Sequence, residues 1–392
     1  MHVMQRPKVV VLGMMSKMPV AGVVWQTAHY LVGLERLGYD AYYVEAHGLM
    51  PTGFMETPED DCSPKAAAFI DRVMRRFGLE RRWAFHAVHT DGAPCFGMSD
   101  GELKTLYREA ALIINLHGGT KPRPEHYQTG RLLFLETDPV ELQIELYKQR
   151  PTAIEYLRPH FAFYTFGENY GRRDCGLPVS EQFHFRPTRQ PVVLDFWNKA
   201  DPGPGATFTT IGNWAQPTRR VRFRFRTYHW SKHFEFLKFI DLPRKTCQPF
   251  ELALGSYKSV DEQMLEGKGW AVRDARQISD DPDLYRSYIA GSRGEFTVAK
   301  DQNIRLRSGW FSDRSATYLA AGRPVITQDT GFGNVLPTGD GLFAFSRMKE
   351  ALAALEAINL DYERHRRAAR AIARDYFAHD VVLRPILQEV GL

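Results

Sequence analysis

The chain has 392 residues, 44% of them hydrophobic and 25% charged, enough for two buried cores at about 150 residues per domain. That composition excludes disordered, collagen-like and coiled-coil classes. Lys and Arg number 51 against 46 Asp and Glu, a net charge of +5, too small a bias to mark a nucleic-acid binder and compatible with small phosphorylated ligands.

Lys8–Gly13 is a continuous apolar and β-branched run of the kind buried in a parallel sheet. The loop Met14–Gly22 follows it. Val24, Ala28, Leu31, Leu34 and Leu37 then recur at helical spacing up to Gly38, and Tyr42–Glu45 begins the next strand. This βαβ opening sets the class as α/β. Residues 48–100 are less regular, with a helical insertion around Ala66–Phe77. Ala111–Leu116 is a buried strand running into His117-Gly118-Gly119. Arg131–Leu135 is another, ending in Glu136-Thr137-Asp138, and Asp138 is placed to cap a helix over Pro139–Leu146. Phe161–Phe166 ends the first series.

Lys199–Ala206 contains two prolines and two glycines in eight residues, a linker composition. A second α/β series starts at Phe208–Gly212 and continues through Leu252–Leu254, Phe296–Val298 and Pro324–Thr327. Two helices follow, marked by Met348, Ala351, Leu352, Leu355 and Ile358, and by His365, Ala369, Ile372, Ala373 and Tyr376. In Arg219–Arg226 alternation places Val221, Phe223 and Phe225 on one strand face and Arg222, Arg224 and Arg226 on the other. The arginine face is either a solvated surface or a track for an acidic partner.

Cys62, Cys95, Cys175 and Cys247 lie far apart, without CxxC or zinc spacing, so they read as reduced thiols in a cytoplasmic protein. Lys17 interrupts the Val9–Met15 run too early for a signal peptide. Pro19, Gln26 and His29 break Met18–Leu34, which falls short of the ~20 apolar residues of a membrane span.

The most informative stretch runs from Arg307 to Gly333. Ser312 or Asp313 can cap a helix to Ala321, Gly322 ends it, and Pro324–Thr327 makes a strand. Free N–H groups at that helix start, with Ser308, Gly309, Ser312, Arg314 and Ser315, form an anion site. The strand opens into Gln328-Asp329-Thr330-Gly331-Phe332-Gly333, where glycine leaves room for phosphate or sugar oxygens.

The ordered series Ala320-Ala-Gly-Arg-Pro-Val325, Thr330–Gly333 and Gly339-Asp-Gly-Leu342 resembles the nucleotide-sugar half of GT-B glycosyltransferases. It also looks like the group-1-like transferases and the CgeB-type, spore-protein-like glycosyltransferase group. The resemblance runs over residues 291–385 and more weakly over 207–290. In the first half it rests on the Gly13–Gly22 loop and the βαβ start. It implies two Rossmann-like domains facing a cleft: an acceptor domain over 1–200, a donor domain over 205–375, and a terminal helix over 376–392 crossing back to the first. Closure about Lys199–Ala206 would exclude water. Thr317 stands where retaining members usually carry a ribose-binding Glu, and Asn334 or its neighbours stand where a second Glu is often found. No His occupies the first loop, so stereochemistry is open.

The implied enzyme is a hexosyltransferase-like, metal-independent glycosyltransferase that uses a UDP, GDP or dTDP sugar as co-substrate and carries no bound cofactor. The donor residues expected are Lys232, Lys300, Ser308, Gly309, Ser312, Arg314, Ser315, Gln328, Asp329, Thr330 and Gly331. Glu295 is expected to pair with Lys300 or Arg305. Base candidates at strand ends are Glu45 or His47, His117, and Glu136 or Asp138, from which His117, Asp138 and Glu45 are selected; His117 is favoured because two glycines expose it and its pKa lies near neutrality. Ser16 and Lys17 form an acceptor or phosphate loop. Ser279–Asp283 is read as a helix cap rather than a metal motif. No acceptor is named by the sequence, and a homodimer is compatible with it. A transferase acting on DNA bases and a non-catalytic sugar-nucleotide binder are the alternatives, with nucleic acid the less favoured partner.

Overall fold

The computed structural model describes residues 6–57, 60–198, 202–216 and 219–392. Lys199–Asp201 of the expected linker lie outside the described residues. Before the linker, strands β1 (Lys8–Leu12), β2 (Asp40–Glu45), β3 (Trp83–His86), β4 (Cys95–Phe96), β5 (Ala110–Leu116), β6 (Leu132–Glu136), β7 (Ala162–Thr165) and β8 (Phe185–Pro187) form one sheet. Its order is β4-β3-β2-β1-β5-β6-β7-β8, with only β4 antiparallel. The apolar runs of β1, β5 and β6 are explained by this topology, because helices cover both faces of the central strands.

Beyond the linker come β9 (Phe208–Asn213), β10 (Arg220–Phe223), β11 (Arg226–His229), β12 (Phe250–Gly255), β13 (Ala271–Asp274), β14 (Gly294–Thr297), β15 (Val325–Gln328) and β16 (Leu342–Phe345). Six of them form a parallel sheet ordered β13-β12-β9-β14-β15-β16, while β10 and β11 pair as a separate hairpin. Each of the two large sheets therefore reverses its strand order beside its first strand, between β1 and β5 and between β9 and β14. Ligands of open α/β sheets bind at the carboxyl ends of the strands at such points.

Helix Ala21–Arg36 belongs to both halves: Trp25 Nε1 donates to the Pro282 carbonyl at 2.8 Å. The last helix, His379–Glu389, crosses back, and Leu383, Ile386 and Leu387 join the core of Val9, Val11 and Leu112. Gly33 permits that approach, because a Cβ there would lie 2.9 Å from Leu383 Cδ1. Among the described residues no helix is long and apolar enough to cross a membrane.

The structure departs from the expected elements at two places that matter. The arginine strand stops at Phe223; Arg224 and Phe225 have φ of 47° and 61°, and the chain turns back as β11. Two successive left-handed residues match the twist of a tight hairpin. Phe225 is therefore an exposed tip residue and not part of the apolar face, whereas Val221, Phe223 and Tyr228 are buried against the first domain. The Phe223 ring lies 5.3 Å from that of Tyr147. The second departure is Asp138, which caps no helix: the helix is Glu141–Tyr147 with Val140 at its N-cap, and the Asp138 side chain points to the other domain. Asp281 does cap Pro282–Gly291, accepting from the backbone of Asp283 and Leu284.

Candidate functional site

The strand ends of the two sheets meet at one pair of charges. Lys300, directly after β14, places Nζ 2.6 Å from Asp138 Oδ1, beyond β6. The same ammonium lies 3.2 Å from the Trp230 ring centroid and 5.5 Å from that of Trp310, and the Arg219 guanidinium lies 3.4 Å from Trp230. Trp310 Nε1 donates to the Thr137 carbonyl at 2.9 Å. Burial lowers the Lys300 pKa, and Asp138 only partly opposes it.

His117, following β5, joins this group. Its φ is 64°, and Nδ1 lies 3.2 Å from Thr137 Oγ1, while Nε2 is shut off from solvent without a hydrogen-bond partner. Burial pushes the imidazole down to about 4, against a smaller upward pull from Asp138, so it is neutral near pH 7. In the tautomer where Nδ1–H donates to Thr137, Nε2 holds a free lone pair.

Lys232 approaches from the segment after β11. It feels Arg314, Glu295, Lys300 and Asp313 electrostatically, yet among the described residues its ammonium makes no hydrogen bond or ion pair. Burial, reinforced by Arg314, drives its pKa well below that of an ordinary lysine, with Glu295 pulling the other way. An amine in this position has no hydrogen-bonded counter-ion, and a bound anion would favour its charged form.

The remaining expected residues are distributed differently. Arg314 is taken up by protein partners: it donates to Glu295 Oε1 at 2.6 Å, to Thr297 Oγ1 at 3.1 Å and to the Ile211 carbonyl, binding β14 to β9. Burial opposes its charge, but Glu295 more than compensates, and its pKa is raised. Glu295 thus pairs with Arg314 and with neither Lys300 nor Arg305. Ser312 occupies the N-cap of helix Asp313–Ala320 without a side-chain cap bond, and its carbonyl accepts from Gln190 Nε2 of the first domain at 2.9 Å. Ser315 Oγ is buried with no partner. Thr317 Oγ1 returns to the Arg314 carbonyl at 2.6 Å.

The glycine-rich turn is joined to the first domain. Gly309 has φ 78°, and a Cβ there would lie 2.3 Å from the Asn169 backbone nitrogen. Its own N–H donates to the Thr330 carbonyl at 2.8 Å, while Thr330 Oγ1 donates to the Trp310 carbonyl at 2.7 Å. Asn169 Nδ2 donates to the Arg307 carbonyl at 2.8 Å, and Ser308 Oγ donates to Asn303 Oδ1 at 2.9 Å. Asp329 accepts from Arg307 at 2.9 Å and from the Gly331 N–H at 2.8 Å. Gln328 Nε2 donates to Glu235 at 2.7 Å. In this arrangement these side chains are satisfied by protein.

Glu45 is fully buried. Its oxygens accept from the Ser16 N–H at 2.8 Å, from His47 Nε2 at 3.0 Å, and from the Tyr43 and Ser16 hydroxyls. With its acceptor sites used by Ser16, Tyr43 and His47, Glu45 holds the first loop in place. Lys17 Nζ donates to the Met50 carbonyl at 3.1 Å.

Beside His117 and Asp138 lies a cavity of about 460 Å³, walled by the first domain and closed on one side by Trp230 and Arg219 at the base of the hairpin. Glu136, at the end of β6, contributes to this wall. It accepts from Thr165 Oγ1 at 2.6 Å and Gln143 Nε2 at 3.0 Å, while Oε1 has no partner. Burial pushes its carboxyl up to about 8, the two hydrogen bonds opposing. An unfolded Glu titrates near ~4.3, so the folded state binds the extra proton and is favoured at low pH. That contribution is complete below ~4.3 and is lost as pH rises through about 8. Melting curves from pH 5 to 9 should therefore show the wild type losing stability relative to Glu136→Gln, with a slope approaching ~1.4 kcal/mol per pH unit. The sequence places Glu136 among the strand-end acids without marking it out, and it gives no sign of the roles of Trp230, Trp310 and Asn169, which depend on contacts between the halves.

Across nearly their full lengths, solved structures share this architecture. HepE of Anabaena in complex with UDP-glucose aligns with TM-score 0.54 and 12% identity, over 98% of this chain and 99% of that one. An alpha-glucosyltransferase in complex with UDP and a 13-mer DNA aligns at 0.58 and 8%, over 99% and 100%. Sucrose-phosphate synthase from Thermosynechococcus elongatus aligns at 0.52 and 12%, over 98% of each chain. The chain has the GT-B fold. Its two sheets are the two GT-B domains, and the crossing helix His379–Glu389 is the GT-B return to the first. No family model matches the sequence, and no curated protein matches it significantly.

Proposed function

We propose that the protein transfers a sugar from a nucleoside diphosphate sugar to an acceptor hydroxyl or amine held by the first domain. The observation that carries this reading is the position of Lys300, beyond the end of β14 in the second sheet, against Asp138 beyond β6 of the first and beside His117, with Lys232 from the segment after the hairpin adding a second amine near Lys300. The two lysines bind the diphosphate. Its arrival draws Lys300 away from Asp138, leaving a carboxylate and the His117 Nε2 lone pair on the acceptor side. The bond between the anomeric carbon and the phosphate oxygen breaks, and the acceptor forms a new bond to that carbon. The acceptor proton passes to His117 or Asp138, while the lysines stabilise the departing charge. Arg314 supports this site by holding β14 and β9 together. The reading includes a UDP-type hexosyl donor, in keeping with the UDP and UDP-glucose bound by structural neighbours, and a reaction without a resident metal.

Thermal shift against UDP, GDP, dTDP, CDP and ADP tests it. A nucleotide at ~100 times its dissociation constant should stabilise the protein by about 2.7 kcal/mol. A response to none of the five would overturn the donor assignment.

One observation favours a second acceptor class. Arg220, Arg222, Arg224 and Arg226 are exposed on the hairpin, and one neighbour is bound to DNA. If duplex DNA is the acceptor, binding weakens with salt at a slope of about 0.9 per phosphate contacted. Salt-insensitive or undetectable binding removes this option.

A further inference from the structure

The cavity beside His117 differs in charge from the rest of a chain that carries +5 overall. Four acidic side chains contribute to its wall: Glu136, Asp138, Glu141 and Glu145. Among the described residues of that wall Arg219 is the one arginine or lysine, and it lies on the Trp230 ring, 3.8 Å from Glu141. Glu145 is shared with Lys148 and Arg150, at 3.0 and 3.2 Å, and Asp138 is held by Lys300. Glu136 has no cationic partner. It is 3% exposed, and its Oε1 receives no hydrogen bond, a costly state for a buried carboxyl oxygen unless a ligand donates to it. His117 also lines the cavity, and its buried Nε2 is unpartnered behind that wall.

Phe134, Tyr156 and Trp230 supply flat apolar surface. The volume lies within the range of about 300–1,000 Å³ typical of small-molecule sites. Aromatic rings beside convergent carboxylates suit a ring-shaped polyol, the rings covering its C–H faces and the carboxylates taking its polar hydrogens.

We infer that this cavity binds an acceptor carrying a protonated amine on a sugar-like ring, with Glu141 as its anionic contact and Glu136 as a buried acid that gives up its proton when the ammonium arrives. The inference rests on the glycosyltransferase reading and specifies its acceptor class. Asp138 adds to the attraction once a donor diphosphate has taken Lys300, so donor and cationic acceptor strengthen each other's binding.

Calorimetric titration of three disaccharides of similar shape tests the inference: the glucosamine dimer with its amines protonated, its N,N′-diacetyl form, and cellobiose. The glucosamine dimer should bind at least about tenfold more tightly than either neutral sugar. Glu136→Gln combined with Glu141→Gln should remove most of that preference. Glu141 is exposed, so Glu141→Gln alone, expected to fold normally, should reduce it by about threefold even if the double variant fails to fold. Equal binding of the three sugars, preference for a neutral one, no binding of any, or a preference that survives Glu141→Gln overturns the inference. A nucleotide thermal shift on the same wild-type sample separates the two levels. If a nucleotide binds and the sugars are not distinguished, only the acceptor assignment falls; if no nucleotide binds, the transferase reading falls with it.

Discussion

Arg314→Met is expected to lower the melting temperature by about 10 °C or more, an effect much larger than loss of a ligand contact at the surface. Its guanidinium is the counter-charge of Glu295, which is fully buried and whose Oε2 already lacks a partner. Removing one member of such a pair leaves an uncompensated buried charge and costs about 3–5 kcal/mol. At roughly 2–4 °C per kcal/mol for a domain of this size, calorimetry or circular dichroism will resolve the change. The double variant Arg314→Met with Glu295→Met should recover part of the loss, because both charges are then gone. A stable single variant with weakened nucleotide binding would instead return Arg314 to the donor site.

Lys232→Met is expected to do the reverse. The native fold holds this ammonium in a place that lowers its pKa, so the wild type binds fewer protons when folded and gains stability as pH rises. Removing the amine should leave melting unchanged or slightly raised near neutrality. Nucleotide binding should weaken by about 10–150-fold, the equivalent of about 1.5–3 kcal/mol for a charge-assisted hydrogen bond. In the wild type a bound diphosphate restores the lysine's proton affinity. Affinity should therefore fall as pH rises through the depressed pKa, with proton uptake on binding, measurable by titration calorimetry in buffers of different ionisation enthalpy. Lys300→Met should weaken binding less, since Asp138 already opposes that cation. Unaltered nucleotide affinity in Lys232→Met would remove it from the site.

These two residues show how differently the same kind of side chain can be legible in a sequence. Arg314 lies beside serines at a helix start, the local pattern of an anion site, yet its guanidinium is consumed by Glu295 one strand away. Lys232 has no comparable local signature, and its value comes from lacking a partner. Asp138 reads as a helix cap from its position before Pro139, whereas the helix begins at Glu141 and the carboxylate pairs with Lys300. The alternation in Arg219–Arg226 was legible as strand. Its reversal at Arg224 and Phe225 was not, because neither residue is a usual one for left-handed turn positions.

By itself the sequence determined the α/β class, the division into two halves, and the helix, glycine and strand series ending at β15 and β16. Those features rest on periodicity, capping and turn chemistry acting over a few residues. Only the tertiary structure decided which charges are spent on one another and which are left for a ligand. Glu295 and Arg314 are 19 positions apart, and Asp138 and Lys300 are 162 apart. Coulomb energy and desolvation depend on distance through space and on burial, and neither is encoded in separation along the chain.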